Sequence, residues 1–262
     1  MANFHCNVIS YTLRRTVDIN VIIPTPTCPD AVGWGPKPAR HTPDAKYPLL
    51  YLFHGYGNNQ LQWTSYTNIE LFAEERQMAV VMIAAENKCY VNHPKDRFFD
   101  FIEEELPDFM TGMFPVSGRK EDTYVAGLSM GGYGALMHGL SRSDRYQAVG
   151  AFSAAIGINP RRSDILDRDD AIELLPEHDL YEVAKKAIPG GLPKIYMSCG
   201  ETDTLLETDK KFYQYLKDLG ADIIWSQTPG YGHMWRFWNE EIERFLDWIP
   251  RTDAYAGSKR QI

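Results

Sequence analysis

Apolar positions recur along this chain in two spacings. Near the start, residues 4–13 and 16–23 alternate or run β-branched (Val8, Ile9; Val17, Ile19, Val21, Ile22, Ile23), which predicts two antiparallel strands along one edge of a sheet. Two later strands are read at 194–198 and 221–227, and short unbroken apolar runs stand at 49–53, 79–85, 124–126 and 148–152. Runs of that kind suit strands covered on both faces of a parallel sheet. Between them lie stretches with one apolar face at helical spacing: 68–77, 100–114, 205–219 and 235–249. Pro107 falls inside the second and predicts a kink there. Strands alternating with helices predict the α/β class, with right-handed crossovers and a mainly parallel eight-stranded sheet carrying helices on both faces. Residues 1–262 are expected to form a single domain. Two segments break the rhythm. Residues 24–48 are rich in proline and hold Gly33-Trp34-Gly35, so they read as a loop. Residues 156–191 read as irregular and polar around one helix near 180–187, either a small cap or a longer crossover.

One stretch carries chemistry on its face. Tyr124, Val125 and Ala126 lead into Gly127-Leu128-Ser129-Met130-Gly131 and then into an apolar helical run, the strand, tight turn and helix of a nucleophile elbow. Small residues at 127 and 131 suit a turn strained at the serine, which lifts the Ser129 hydroxyl clear and turns the Met130 N–H toward a developing negative charge. A serine hydroxyl needs a base, and the base needs an orienting group. In this arrangement the chain order is serine, acid, histidine. Of seven histidines, His233 follows both the elbow and the later strand ends. Glu201, Asp203 and Glu207 follow the preceding strand, and Asp203 is best presented by the turn after Gly200; its other role would be to cap the helix that begins near Leu205. The loop His54-Gly55-Tyr56-Gly57 after the 49–53 strand supplies a second oxyanion donor, the backbone N–H of Tyr56, with His54 bracing the loop.

Composition narrows the partners. A hydrophobic fraction of 44% with 13% aromatics excludes a disordered chain. A net charge of −8 and a pI near 5.4 argue against nucleic acid or an anionic membrane surface. No run reaches the ~18 apolar residues of a membrane span, and the N-terminus lacks the charged and apolar regions of a signal peptide. Cys6, Cys28, Cys89 and Cys199 are scattered, which suggests reduced thiols in a cytoplasmic protein. There is no H-E-x-x-H, no phosphate-binding G-x-x-x-x-G-K and no dinucleotide fingerprint, so no metal or cofactor is expected. Tyr56, Trp63, Tyr90, Phe98 and Trp34 offer rings for an aromatic substrate pocket.

Four motifs share a family likeness. Gly127 to Ala135, His54 to Asn59, Cys199-Gly200-Glu201-Thr202-Asp203 and Gly232-His233-Met234-Trp235-Arg236-Phe237-Trp238 together resemble the esterase D branch of the α/β hydrolases, nearest to bacterial tributyrin esterases and related feruloyl and acetyl esterases. Phe99 to Pro107 and Trp63 with Thr67-Asn68 extend the likeness over nearly the whole chain, while the proline-rich 24–48 loop departs from it. The resemblance implies the α/β-hydrolase fold, Ser129 as nucleophile, His233 as base, Asp203 as acid, and oxyanion contacts from the Tyr56 and Met130 N–H groups. It also implies a serine carboxylic ester hydrolase working through an acyl-enzyme on a small-molecule ester, either short-chain acyl or hydroxycinnamoyl. An S-formylglutathione hydrolase and an acyltransferase are the rival enzymes, and a non-catalytic binding module is the rival from another class. Self-association as a homo-oligomer is compatible with each.

Overall fold

The computed structural model describes residues 1–35, 38–94, 96–157 and 173–259. Eight strands form one sheet: β1 (Ala2–Ser10), β2 (Arg15–Ile23), β3 (Leu49–Phe53), β4 (Ala79–Ile83), β5 (Thr123–Leu128), β6 (Ala148–Phe152), β7 (Lys194–Gly200) and β8 (Ile223–Thr228). Their order across the sheet is β1-β2-β4-β3-β5-β6-β7-β8. The β1–β2 hairpin is antiparallel, β2 meets β4 antiparallel, and every later pairing is parallel. The helices named below are α1 (Ile69–Glu75), α2 (Leu106–Met113), α3 (Met130–Ser141), α4 (Leu180–Ala187), α5 (Leu206–Asp218) and α6 (Trp235–Trp248).

The unbroken apolar runs mark the middle of the sheet because those strands are covered on both sides. Every residue of β3, β4, β5 and β6 is buried. Alternate side chains then serve two cores. Leu49, Tyr51 and Phe53 pack with residues of α2, α3, α4 and α5, whereas Leu50 and Leu52 pack with residues of α1 and α6. Each fully buried Leu or Phe contributes on the order of 1.5–3 kcal/mol of transfer free energy, so the central strands hold the sheet rigid under the loops at its carboxyl edge.

The kink expected at Pro107 takes the form of a π turn, Phe101–Glu105, running directly into α2. Proline has no N–H for the carbonyl four residues back. That carbonyl, on Glu103, is taken instead by the Arg145 guanidinium. The Glu103 carboxylate is itself buried: it faces His138 Nδ1 at 2.6 Å, accepts from Tyr146 Oη at 2.7 Å and from Arg145 at 3.2 Å. The ring's other nitrogen, Nε2, reaches the Tyr90 carbonyl at 2.8 Å. This network ties the π turn, α3 and the segment after β4 together.

The proline-rich loop leaves the end of β2 and returns to the start of β3. Because β2 runs against β4 (Ile22 beside Val80, Ile19 beside Ile83), both ends of the loop lie at the amino edge of the parallel strands. Within it Thr27 caps a short helix, Cys28–Ala31, through a capping box with Asp30. After β6, the helix expected near 180–187 is α4, which buries Leu180, Val183 and Ala184 beside α3 and α5. Residues 158–172 of the expected cap or crossover lie outside the described residues.

Candidate active site

Ser129 sits between β5 and α3 at φ 54°, ψ −118°, a conformation that L side chains rarely adopt and that costs on the order of 1–3 kcal/mol. The neighbouring packing holds it there. A Cβ at Gly127 would collide with the Gly131 carbonyl, and one at Gly131 with the carbonyls of Phe53 and His54, so the glycines let strand, helix and the β3 end close on one another. Ser129 N–H donates to the Phe152 carbonyl (2.9 Å), and its carbonyl accepts from Ala155 N–H (3.0 Å). The hydroxyl is thus fixed from the β6 side as well as by its own helix.

Imidazole and carboxylate complete the relay. His233 Nε2 lies 3.1 Å from Ser129 Oγ, and His233 Nδ1 lies 3.0 Å from Asp203 Oδ2. The histidine side chain is 36% exposed while that of Asp203 is fully covered, so the ring can exchange with water but its orienting charge cannot be solvated away. Asp203 Oδ1 accepts the Leu205 N–H at 2.9 Å. The capping and orienting roles therefore fall on the same carboxylate. Burial pushes this carboxyl up, but hydrogen bonds from His233, the Leu205 N–H and Ser153 outweigh it, and the group sits below the usual carboxylate range. An ionised Asp203 accepting from Nδ1–H leaves Nε2 free to accept the serine proton.

The loop after β3 lies against the serine: a Cβ at Gly55 would stand 3.5 Å from Ser129 Cβ. A tight turn shapes it, with Asn58 N–H on the Gly55 carbonyl at 3.2 Å and Gly57, at φ 75°, donating to Asn87 Oδ1 at 2.7 Å. His54 braces this turn. Its Nδ1–H donates to the Gly55 carbonyl (2.8 Å) and Nε2 accepts from Ala85 N–H (3.1 Å). Burial pushes the ring down to about 4, consistent with a neutral brace.

The structure brings Ser129, His233 and Asp203 together, with the Tyr56 loop and Met130 alongside. Of the five expected aromatic rings, that of Tyr56 is half-buried on the loop beside the serine, and the other four lie elsewhere. Trp63, Tyr90 and Phe98 are at most 1% exposed and belong to the cores. Each has its reason: Trp63 Nε1 donates to the Phe53 carbonyl (2.9 Å), Tyr90 Oη donates to the His54 carbonyl (2.8 Å) while its ring stacks on Phe53, and Phe98 lies under the Arg15 guanidinium. Trp34 is 83% exposed on the loop that departs from and returns to the amino edge, whereas Ser129 follows the carboxyl end of β5. These four rings build or decorate the scaffold.

A residue that the sequence reading passed over is Ser153. It is buried at φ 47° just past β6, accepts from Trp238 Nε1 at 3.3 Å and hydrogen-bonds Asp203. Its signal was its place at the carboxyl end of a central parallel strand, where sites in such sheets gather. Among the described residues, no cluster of His, Cys, Asp and Glu is arranged to hold a metal ion, and no helix is long and apolar enough to cross a membrane.

Sheet order and relay together put the chain among the serine hydrolases of the α/β-hydrolase fold. Comparison with known proteins narrows this class. The family model described as "Putative esterase" matches residues 36–246, and the chain belongs to that family, as a serine ester hydrolase. It is similar to an acetyl esterase of Caldicellulosiruptor saccharolyticus, 29% identical over 271 residues that cover 96% of this chain and 99% of that protein. Among solved structures it is similar to FphF, a fluorophosphonate-binding serine hydrolase of Staphylococcus aureus (27% identity, TM-score 0.80, covering 94% of this chain and 97% of that one). It is also similar to FrmB, an S-formylglutathione hydrolase of the same organism (25% identity, TM-score 0.77, 94% and 98% covered).

Proposed function

We propose that the enzyme cleaves short-chain carboxylic esters through an acyl-serine on Ser129. The observation that carries this reading is the continuous relay from Ser129 Oγ through both nitrogens of His233 to a buried Asp203, at 3.1 and 3.0 Å. As Ser129 Oγ bonds to the carbonyl carbon, its proton passes to His233 Nε2 and the carbonyl electrons move onto oxygen. The backbone N–H groups of Met130 and Tyr56 receive that oxyanion, each contributing on the order of 10² to 10³ in turnover. The tetrahedral species expels the alcohol, which takes the proton from His233. Water then enters past the exposed imidazole and attacks the acyl carbon as its proton passes to Nε2; the bond to Ser129 Oγ breaks, Oγ takes that proton back from His233, and the acid leaves.

The acyl assignment rests on likeness and on where the aromatic rings lie. Trp63, Tyr90 and Phe98 are buried in the cores and Trp34 is exposed on the loop at the amino edge, and a relative 29% identical is an acetyl esterase. The four free thiols support a reducing, cytoplasmic setting.

A panel of p-nitrophenyl acetate, p-nitrophenyl butyrate, methyl ferulate and S-formylglutathione tests the reading. The nitrophenyl esters are expected to give a burst of nitrophenol, and kcat/KM for the short-chain esters is expected to exceed the other two by at least about tenfold. A preference for methyl ferulate or S-formylglutathione would reassign the substrate.

A further inference from the structure

Asp209 lies on α5 and is completely buried. Its Oδ2 accepts the Ala154 N–H at 2.9 Å. Oδ1 has no hydrogen-bonding nitrogen or oxygen among the described residues, and the Cys199 thiol is the polar group beside it. A carboxyl group placed in a core with one oxygen unmatched is costly unless it does something there.

The segment it holds touches both ends of the relay. Ser153, in the left-handed region at φ 47°, hydrogen-bonds Asp203. Ala155 donates to the Ser129 carbonyl at 3.0 Å. Between them, Ala154 is packed so closely on the first turn of α3 that a Cβ at Gly132 would stand 3.1 Å from both its Cα and its Cβ. Left-handed backbone at a non-glycine residue persists only where surrounding contacts over-determine it. The Ser153 N–H to the Ser198 carbonyl (2.8 Å), the Trp238 indole and Asp209 supply those contacts.

We propose that Asp209 is a positioning residue: its buried carboxyl group clamps Ala154 so that Ser153 and Ala155 hold Asp203 and Ser129 at the spacing the relay needs. The role rests on the ester-hydrolase reading above and adds to it a group that never meets substrate. The titratable neighbours of Asp209 are Asp203 and Cys199. Burial lifts the Asp209 carboxyl well above the usual range, and the charge of Asp203 adds to that, which favours the uncharged form. Asparagine, with one acceptor oxygen and an uncharged NH₂, can replace it; leucine, of similar size without an acceptor, cannot.

The test measures p-nitrophenyl acetate turnover in the parent, Ser129→Ala, Asp209→Asn and Asp209→Leu, with thermal melts to establish folding. We expect Asp209→Asn to stay within about threefold of the parent, and folded Asp209→Leu to lose about 10- to 100-fold in kcat with KM little changed, the loss that misplacing a reacting group by a fraction of an ångström to one ångström produces. The acidic limb of kcat/KM against pH is expected to stay in place in Asp209→Asn. A negative charge at 209 would favour protonated His233, so its removal would move that limb to lower pH. Folded Asp209→Leu within threefold of the parent, Asp209→Asn as impaired as Asp209→Leu, or a downward shift of the limb would each overturn the proposal. Should Asp209→Leu fail to fold, Asp209→Ser replaces it, its hydroxyl being too short to reach the Ala154 N–H, with the same loss expected. An inactive parent would instead overturn the ester-hydrolase reading; an active parent with an inert Ser129→Ala and unaffected Asp209 variants would overturn the clamp alone.

Discussion

Among the described residues, two histidines stand within 3.0 Å of a buried carboxylate, and one of these pairs is placed to do chemistry. His233 and Asp203 are 3.0 Å apart, and His138 and Glu103 are 2.6 Å apart, so distance does not separate them. The other ring nitrogen does. For His233 it faces a hydroxyl, Ser129 Oγ, which can give up a proton. For His138 it faces the carbonyl of Tyr90, which can only accept. Both nitrogens of His138 therefore face acceptors, one of them the Glu103 carboxyl, which is pushed up by desolvation yet held below its usual range by His138, Tyr146 and Arg145. Access differs as well: the His233 side chain is 36% exposed, the His138 side chain not at all. A histidine paired with an acid becomes a base only when the far nitrogen meets a proton donor and water can arrive. Otherwise the pair is a rivet.

Substitutions should separate the pairs by which quantity falls. His233→Ala is expected to lower kcat on p-nitrophenyl acetate by ~10³-fold or more while leaving the urea midpoint near that of the parent. For His138→Leu the expectation is reversed: about 3–5 kcal/mol of stability lost, because Glu103 is left as a buried charge short of a partner, with the turnover of the folded fraction within fivefold. A His138 variant that loses turnover at unchanged stability would break the comparison. His54 provides the smallest and most graded effect. Its ring takes a proton near 6.5 when unfolded and at about 4 when folded, so unfolding takes up a proton between those values and stability falls as pH drops through that window. The full loss is about 3 kcal/mol, and denaturation curves of His54→Gln should show a visibly flatter dependence there.

The sequence announced the parallel strands because burial on both faces leaves an unbroken apolar run, as at Leu49 to Phe53. It announced the serine, acid and histidine because a strained turn needs glycines and chain order limits the choice. It could not announce which aromatic residues face a cavity. Trp63 and Tyr90 read as amphipathic pocket rings, but their polar ends are satisfied by the carbonyls of Phe53 and His54 inside the fold, and that pairing is set by tertiary contact alone. Glu103 sits in the run Glu103-Glu104-Glu105, which looks like a solvated face; the π turn points Glu103 inward and Pro107 frees its carbonyl for Arg145. Asp209 is hidden in the same way, as one more acid in a charged helix until the packing of Ala154 gives it a partner.

The most direct test of the account is fluorophosphonate labelling of the parent and of Ser129→Ala, with the adduct located by peptide mass spectrometry and turnover measured on the same samples. A single adduct on Ser129 is expected in the parent and none in the variant, with a fall in p-nitrophenyl acetate turnover of at least ~10³-fold. An adduct on another residue, or a Ser129→Ala enzyme within tenfold of the parent, would contradict it.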